Sequence, residues 1–302
     1  MFNGSGQDDM FSINNIQNKK PYYLFSIPLL YRYFIKLVIY IFLFILGLIV
    51  SFPFLWMFTT SFKTLEEATT TSLGIFPSHW QWENWLRVFQ LAPFGKYFFN
   101  SFLVAGIITI AVCLNSILAG YVFARLKFPG KSILFAIIMA TMMVPFESVL
   151  IPNFILISKL GWYNTYPGLI APWCANAFSI LLLRQAFMTL PEDYYESAQI
   201  DGCGHFSFLL YLSVPFVKPA LITVALFTFL NSYNSLLWPL IITADEAKRV
   251  VQVGLTVFSG DAGIRVNLLM TASTIVALPT ILIYLIAQRY FFQESIRVGL
   301  KG

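Results

Sequence analysis

The residues most able to do covalent chemistry are few and scattered. There are two histidines, His79 and His205, and three cysteines, Cys113, Cys174 and Cys203. Nucleophilic catalysis needs a Ser, Cys or Thr with a base in hydrogen-bond reach. A six-span protease would also need a Gly-x-Ser-x-Gly-like nucleophile turn. Neither histidine has such a setting; both fall in loops, on opposite sides of the chain's apolar segments. The cysteines lack the paired spacing of a metal site or a disulfide framework and are read as small packing residues. The nearest approach to a phosphate loop is Gly130-Lys131-Ser132. A Walker A loop needs a glycine five places before Gly130, and that place is Arg125. We therefore expect no catalytic residue, no metal site and no cofactor site in this chain.

Other side chains could hold a ligand without transforming it. Glu147 stands between Pro145 and Pro152 in an apolar stretch. A carboxylate there is costly in lipid, so it must face protein, water or a partner. It is either a residue of a solute path or a structural carboxyl between helices. Asn231, Ser232, Asn234 and Ser235 form a polar cluster. At spacings of three and four, Asn231, Asn234 and Ser235 share one helix face. They either bond neighbouring helices or line a path. Asn115, beside Ser116, poses the same choice.

The most organised polar segment runs from Arg184 to Gly204. Pro191 suits the first turn of a helix, where its missing N–H is no loss. Glu192 and Asp193 follow where the helix dipole favours anions. Gly202 or Gly204 can supply the left-handed residue that ends it. These signals predict a helix over Pro191–Asp201, too short and too polar to cross a membrane. Ser197 and Ala198 are small enough to let another surface come close. Tyr194 and Ala198, four apart, share a face, with Tyr195 beside them. The helix is either a plug for a groove on a partner or an amphipathic connector on the membrane surface.

The elements that must carry these residues follow from composition. The chain has 302 residues, 58% hydrophobic and only 11% charged, against about 25% charged in an ordinary soluble domain. Disorder, a disulfide scaffold and a collagen-like fibre are excluded. Long apolar runs point to a helical membrane protein rather than a β-barrel. Six segments are long enough to span: roughly Phe34–Thr60, Asn100–Ala124, Ile133–Ile157, Leu169–Phe187, Pro219–Ile242 and Thr271–Phe292. A polar tail, 1–33, precedes a six-span domain, 34–302. With both termini in the cytoplasm, 12 basic residues face inward and 7 outward, out of 19 Lys and Arg. That asymmetry accounts for the net charge of +5 without nucleic acid. The long outer loop, Ser61 to Phe99, carries Trp80, Trp82, Trp85 and Phe89 as an aromatic belt or a docking surface.

The polar hairpin resembles the EAA motif of ABC-transporter permease subunits: Glu-Ala-Ala, three residues, Gly, nine residues, Ile-x-Leu-Pro. Here Glu196-Ser197-Ala198 is followed by Gly202 and then Leu212-Ser213-Val214-Pro215 at the same spacings, with Ser197 for the middle Ala. Further stretches are similar to the sugar and oligosaccharide branch of that family, which includes maltose permeases. These are Asn100–Ala105, Gly120–Lys131, Leu160–Thr165, Tyr233–Leu240 and Gln288–Gln293, with the terminal Lys301-Gly302. The resemblance runs from about Phe44 to Gly302.

The resemblance implies an all-α, six-span membrane protein with the type I ABC importer permease (MetI-like) fold and a cytoplasmic coupling helix in a hairpin of about 188–215. It implies coupling to an ATPase through Tyr194, Tyr195, Glu196, Ser197, Ala198, Asp201 and Gly202. The expected partners are a second homologous permease, two ATP-binding cassette subunits, an extracytoplasmic solute-binding protein, membrane lipid and a sugar or oligosaccharide. ATP and Mg would sit on the partner subunits. Glu147, Asn231, Asn234, Ser235 and Asn115 are the candidate pathway residues. The expected location is the bacterial inner membrane, multi-pass, with both termini cytoplasmic. The alternative is an ion-coupled secondary carrier of a small polar solute.

Overall fold

The computed structural model describes residues 29–70, 74–260 and 263–299. The expected tail up to residue 28 and the terminal Lys301-Gly302 lie outside the described residues, as do the side chains of Arg289 to Gln293. In chain order the helices are α1 (Leu29–Thr60), α2 (Leu65–Thr69), α3 (Glu83–Leu91), α4 (Phe94–Arg125), α5 (Lys131–Ala140), α6 (Phe146–Lys159), α7 (Tyr166–Ile170) and α8 (Ala177–Met188). Then come α9 (Glu192–Ile200), α10 (His205–Phe208), α11 (Val214–Phe216), α12 (Lys218–Tyr233), α13 (Leu237–Ile242), α14 (Val251–Gly254) and α15 (Val266–Gly299). One two-residue antiparallel pair, Ser259–Gly260 with Gly263–Ile264, precedes α15.

The chain divides into two compact units at Phe54, inside α1. The first holds most of α1, an apolar helix that tolerates Pro53 near its end. It starts at Leu29, five residues before the expected Phe34. The second unit holds the rest.

Among the described residues three helices, α1, α4 and α15, are long and apolar enough to cross a membrane; six spans are reached if each of three bent helix pairs counts as one. Three expected spans are not continuous; the fourth bends by 45° between Trp173 and Ala177. In the third, the helix gives way to one tight turn, Thr141–Met143, breaks at Val144–Pro145, and resumes as α6 at 99° to its former course. Pro145 lacks an N–H for the helical ladder and forces Val144 into extended backbone (φ −85°, ψ 114°). Glu147 sits just past the break, in the exposed first turn of α6, where the helix dipole favours it. In the fifth, α12 ends at Tyr233 and α13 begins at Leu237. Asn234 and Ser235 lie in that break and do not continue the helix face of Asn231.

Within the second unit, α4 is the axial element. Toward its C-terminal half it packs on α8 and α12 through Ile108, Val112, Tyr121, Leu183, Phe187 and Val224. Toward its start, Phe94, Tyr97 and Ala105 meet α3, α12 and α15 through Val88, Tyr233 and Ala272. Between membrane helices such contacts hold by close van der Waals packing rather than by transfer out of water.

The Phe94 end of α4 is closed by interlocked loops. The Asn100 amide donates to the carbonyls of Ala247 (3.0 Å) and Arg249 (2.8 Å) and accepts from the Tyr166 hydroxyl (2.8 Å). Asn164 adopts φ +57° and accepts from the backbone of Ala244 and Asp245, so one turn pins two loops. Of the expected aromatic loop, Trp80, Trp82 and Trp85 ring Phe62 at centroid distances of 5.0, 4.8 and 5.5 Å.

Gly168 tests this packing. A Cβ there would lie 2.2 Å from the Trp162 carbonyl oxygen, and the Gly168 carbonyl accepts from the Trp238 indole at 3.1 Å. Gly168→Ala is expected to cost about 1–3 kcal/mol through forced backbone shifts. Gly106→Ala, with nothing within 4 Å, is expected to be neutral or stabilising, as a helical Gly-to-Ala change without strain is. Thermal unfolding in detergent should separate the two variants.

Candidate functional site

The hairpin after α8 forms as its local signals require. Pro191 is the N-cap of α9 in extended backbone, and Glu192 and Asp193 occupy the first turn. The helix ends in a Schellman turn: Gly202 N–H donates to the Gln199 carbonyl (3.0 Å) and Cys203 N–H to that of Ala198 (2.8 Å). Gly202 takes φ +75°, a conformation that favours glycine.

One face of α9 is anchored to the chain's own core. Ala198 is only 7% exposed and packs in the α4–α8 cluster. The Tyr195 ring stacks on His205 at 5.4 Å and meets Phe208 edge-on at 5.0 Å. Its hydroxyl lies 3.0 Å from His205 Nδ1 and accepts from Gln199 Nε2 at 2.9 Å. Tyr121 of α4 also reaches His205 Nδ1, at 3.5 Å.

The other face is free within this chain. Tyr194 is 58% exposed and Ile200 87%, and Glu196, Ser197, Asp201 and Gly202 are exposed as well. This corrects the expectation that Tyr194 and Ala198 form one docking face with Tyr195. The seven candidates divide: Tyr194, Glu196, Ser197, Asp201 and Gly202 face out, while Tyr195 and Ala198 hold the helix in place. Ile200, unpredicted, joins the outward face.

Two arginines fix the base of the hairpin. Arg125, the last residue of α4, donates to the carbonyls of Phe187 (3.1 Å) and Leu190 at the end of α8. Arg184 of α8 donates to the Phe123 carbonyl of α4 (3.0 Å) and lies 4.3 Å over the Phe135 ring. Each helix thus satisfies free carbonyls at the other's C-terminus, where cations are favoured. Between them the helices cross at Gly120, where an added Cβ would come within 3.1 Å of Arg184 N and Leu183 Cβ. Neither arginine was singled out from the sequence for this role.

Along the same α4–α8 pair, away from the hairpin, lies a cavity of about 180 Å³. α4 contributes Ser101 to Val112, the α7–α8 break contributes Trp173 to Ser179, and α12 with the break before α13 contributes Phe227 to Ser235. Of the candidate pathway residues, Asn231 and Ser235 line it. Asn234 does not; it accepts from Gln252 Nε2 at 3.2 Å. Asn115 does not either; it donates to the Cys174 carbonyl at 2.9 Å. Glu147 also lies off the cavity. Ser232 of the expected polar cluster lines it too, as do Asn176, Ser179 and Thr228, which were not proposed as pathway residues. Asn176 was legible as a polar residue opening a helix: its side chain accepts from Ser179 N–H as the N-cap of α8.

No group of three or more His, Cys, Asp or Glu able to hold a metal occurs among the described residues. His205 contacts the Tyr195 and Tyr121 hydroxyls.

Arg125→Ala should leave the Leu190 carbonyl without its donor, and the Phe187 carbonyl with backbone N–H donors alone, at a cost of about 1–3 kcal/mol. Limited proteolysis of membranes should then cut the 188–215 hairpin faster than in the parent chain. Arg125→Lys, which keeps the charge but not the fork, should fall between the two.

Residues 116–294 match the family described as the inner membrane component of binding-protein-dependent transport systems. The diacetylchitobiose uptake system permease protein NgcG of Streptomyces coelicolor is 32% identical over 247 residues, covering 80% of this chain and 82% of that protein. The trehalose/maltose transport system permease protein MalG of Thermococcus litoralis is 32% identical over 263 residues, covering 85% and 94%. A chain in the crystal structure of a bacterial ABC transporter that imports the acidic polysaccharide alginate has the same fold, with TM-score 0.76 at 21% identity over 85% of this chain and 96% of that one. Bent spans, an anchored hairpin and sequence kinship agree: this chain belongs to the inner-membrane permease components of binding-protein-dependent ABC transport systems.

Proposed function

We propose that the chain is one of two homologous permeases in an importer for a sugar or oligosaccharide, driven by two ATP-binding cassette subunits and fed by an extracytoplasmic solute-binding protein. The observation that carries this reading is the two-sided α9: Tyr195 and Ala198 lock it to α4 and α8, and Glu196, Ser197 and Asp201 are left exposed at the EAA-like positions. A short helix held on one side and bare on the other suits a groove in a partner. The relatives named for diacetylchitobiose and for trehalose/maltose support a saccharide as cargo.

In this reading the α9 end faces the cytoplasm, as do both termini, and the interlocked loops at the Phe94 end face outward. ATP and Mg bind to the cassette subunits, and this chain makes no covalent bond and holds no cofactor. When ATP closes the cassette dimer, its groove carries α9 with it. Tyr195, His205 and the Arg125–Arg184 exchange pass that displacement to α4 and α8, which wall the cavity. The spans then move between two packed arrangements, as an interface-driven switch requires. A secondary carrier would instead need a relay of ionisable groups inside the spans. Glu147, the sequence's strongest candidate for one, is exposed at the start of α6.

A tagged form of this chain, extracted from membranes, should bring down an ATP-binding subunit. Glu196→Lys reverses a charge on the exposed face while leaving the Tyr195 and Ala198 anchors intact. It should abolish ATP-driven uptake with normal amounts of chain in the membrane. Uptake at the parent rate in that variant would contradict the coupling role.

A further inference from the structure

We propose that Lys127, Lys131 and Arg184 form a binding site for the headgroup of an anionic phospholipid, at the end of the molecule that carries α9. The three cations gather at the C-terminal end of α4. Lys131 Nζ donates to the Leu126 carbonyl (2.9 Å) and lies 3.4 Å from that of Ala124. Arg184 donates through Nε to the Phe123 carbonyl, with its plane over the Phe135 ring. Arg184 and Lys127 both stand close enough to repel the Lys131 charge, and no carboxylate among the described residues offsets it. Like charges held together repel, and an anion placed among them relieves that repulsion. The carbonyl anchors also use only part of what these side chains offer. Arg184 makes no other hydrogen bond and Lys127 makes none among the described residues. The terminal nitrogens of Arg184 therefore remain able to hold a phosphate in a fork, with Lys127 as a second, exposed cation.

The position of the cluster selects a lipid over a soluble anion or an acidic protein face. Arg125 ends one span-length helix, and Lys131 begins a bent pair long and apolar enough for another. Cations between two span ends stand at the depth of lipid headgroups. Next along α5, Ile133, Leu134 and Ile137 are exposed. Ile133 and Ile137, four apart, share a helix face. A phospholipid sets its phosphate among the cations and lays an acyl chain along that face; a soluble phosphate has no such chain. The first turn of α5 adds backbone N–H groups, because its N-cap, Gly130, has no side chain to bond them. Basic residues on one side of a membrane protein attract anionic lipid diffusely. A fixed site differs in holding one molecule and in depending on these residues and not on others at the same end, such as the exposed Lys218 that opens α12.

The test counts bound lipid by native mass spectrometry of the assembled transporter in detergent, titrated separately with phosphatidylglycerol and phosphatidylcholine. The parent is expected to hold at least one more phosphatidylglycerol than phosphatidylcholine at matched concentration. Lys127→Gln removes a charge that caps no carbonyl and should weaken that additional molecule about fivefold, the effect of one lysine near anionic lipid. Lys127→Glu should weaken it further, and Lys218→Gln should leave it unchanged. Equal retention of the two lipids, undiminished retention in both Lys127 variants, or equal weakening by Lys218→Gln would overturn the site. Displacement of the lipid by millimolar inorganic phosphate would make the occupant a soluble anion. Loss of the ATP-binding subunit from both Lys127 variants, with phosphatidylglycerol retained, would make it an acidic protein surface. Either result would overturn the lipid assignment. Cargo and ATP hydrolysis play no part in the assay, so its failure is distinct from that of the uptake experiment.

Discussion

The crossing of α4 and α8 at Gly120 is the contact on which the rest of the second unit depends. The backbones approach so closely that an added Cβ would have to displace Leu183 or the Arg184 amide. That proximity lets Arg125 and Arg184 each reach the carbonyl end of the opposite helix. In a membrane protein, free carbonyls at a helix end must find donors in the protein or in interfacial water. Here each helix supplies the other's donors. The two helices therefore behave as one body, with the α9 hairpin at one end and the cavity further along. A displacement at the hairpin has a stiff route to the cavity wall.

The same economy explains the distribution of polar groups. With 11% charged residues, the chain keeps charge at helix ends and loops, where it caps carbonyls or meets water. The polar groups among the cavity's mostly apolar lining are amides and hydroxyls, which cost less to desolvate than ions. At the Phe94 end, Asn100 and Asn164 tie loops far apart in sequence into one layer, Asn100 by neutral hydrogen bonds and Asn164 by neutral ones joined by charge-assisted ones to Asp245 and Lys248.

Local features were legible and tertiary ones were not. Pro191, the acidic first turn and Gly202 bracket α9 within a residue or so at each end, because capping is set by neighbours in the chain. Pro145 was visible too, yet hydropathy averages over a window and reads Ile133–Ile157 as one apolar run. Only the backbone consequence of the proline, an extended Val144, turns that run through 99°. The break after Tyr233 escaped notice for the same reason. Whether Ala198 points out or in depends on Phe208 and Cys203 folding back beneath it, which periodicity cannot tell. The cavity joins Asn176 to Asn231 across 55 positions, and Arg125 meets Leu190 across 65. Pairings over such separations exist only once the helices are packed.

The central claim is that α9 presents one face to an ATP-binding subunit and keeps the other for its own core. Single cysteines placed in turn along α9 of the assembled transporter, and treated with a short bifunctional thiol reagent, test it most directly. Cross-links to the ATP-binding subunit should appear at Tyr194→Cys, Ser197→Cys and Asp201→Cys and be absent at Tyr195→Cys and Ala198→Cys. Cross-linking of similar yield at all five positions, or strongest at Ala198→Cys, would contradict the account.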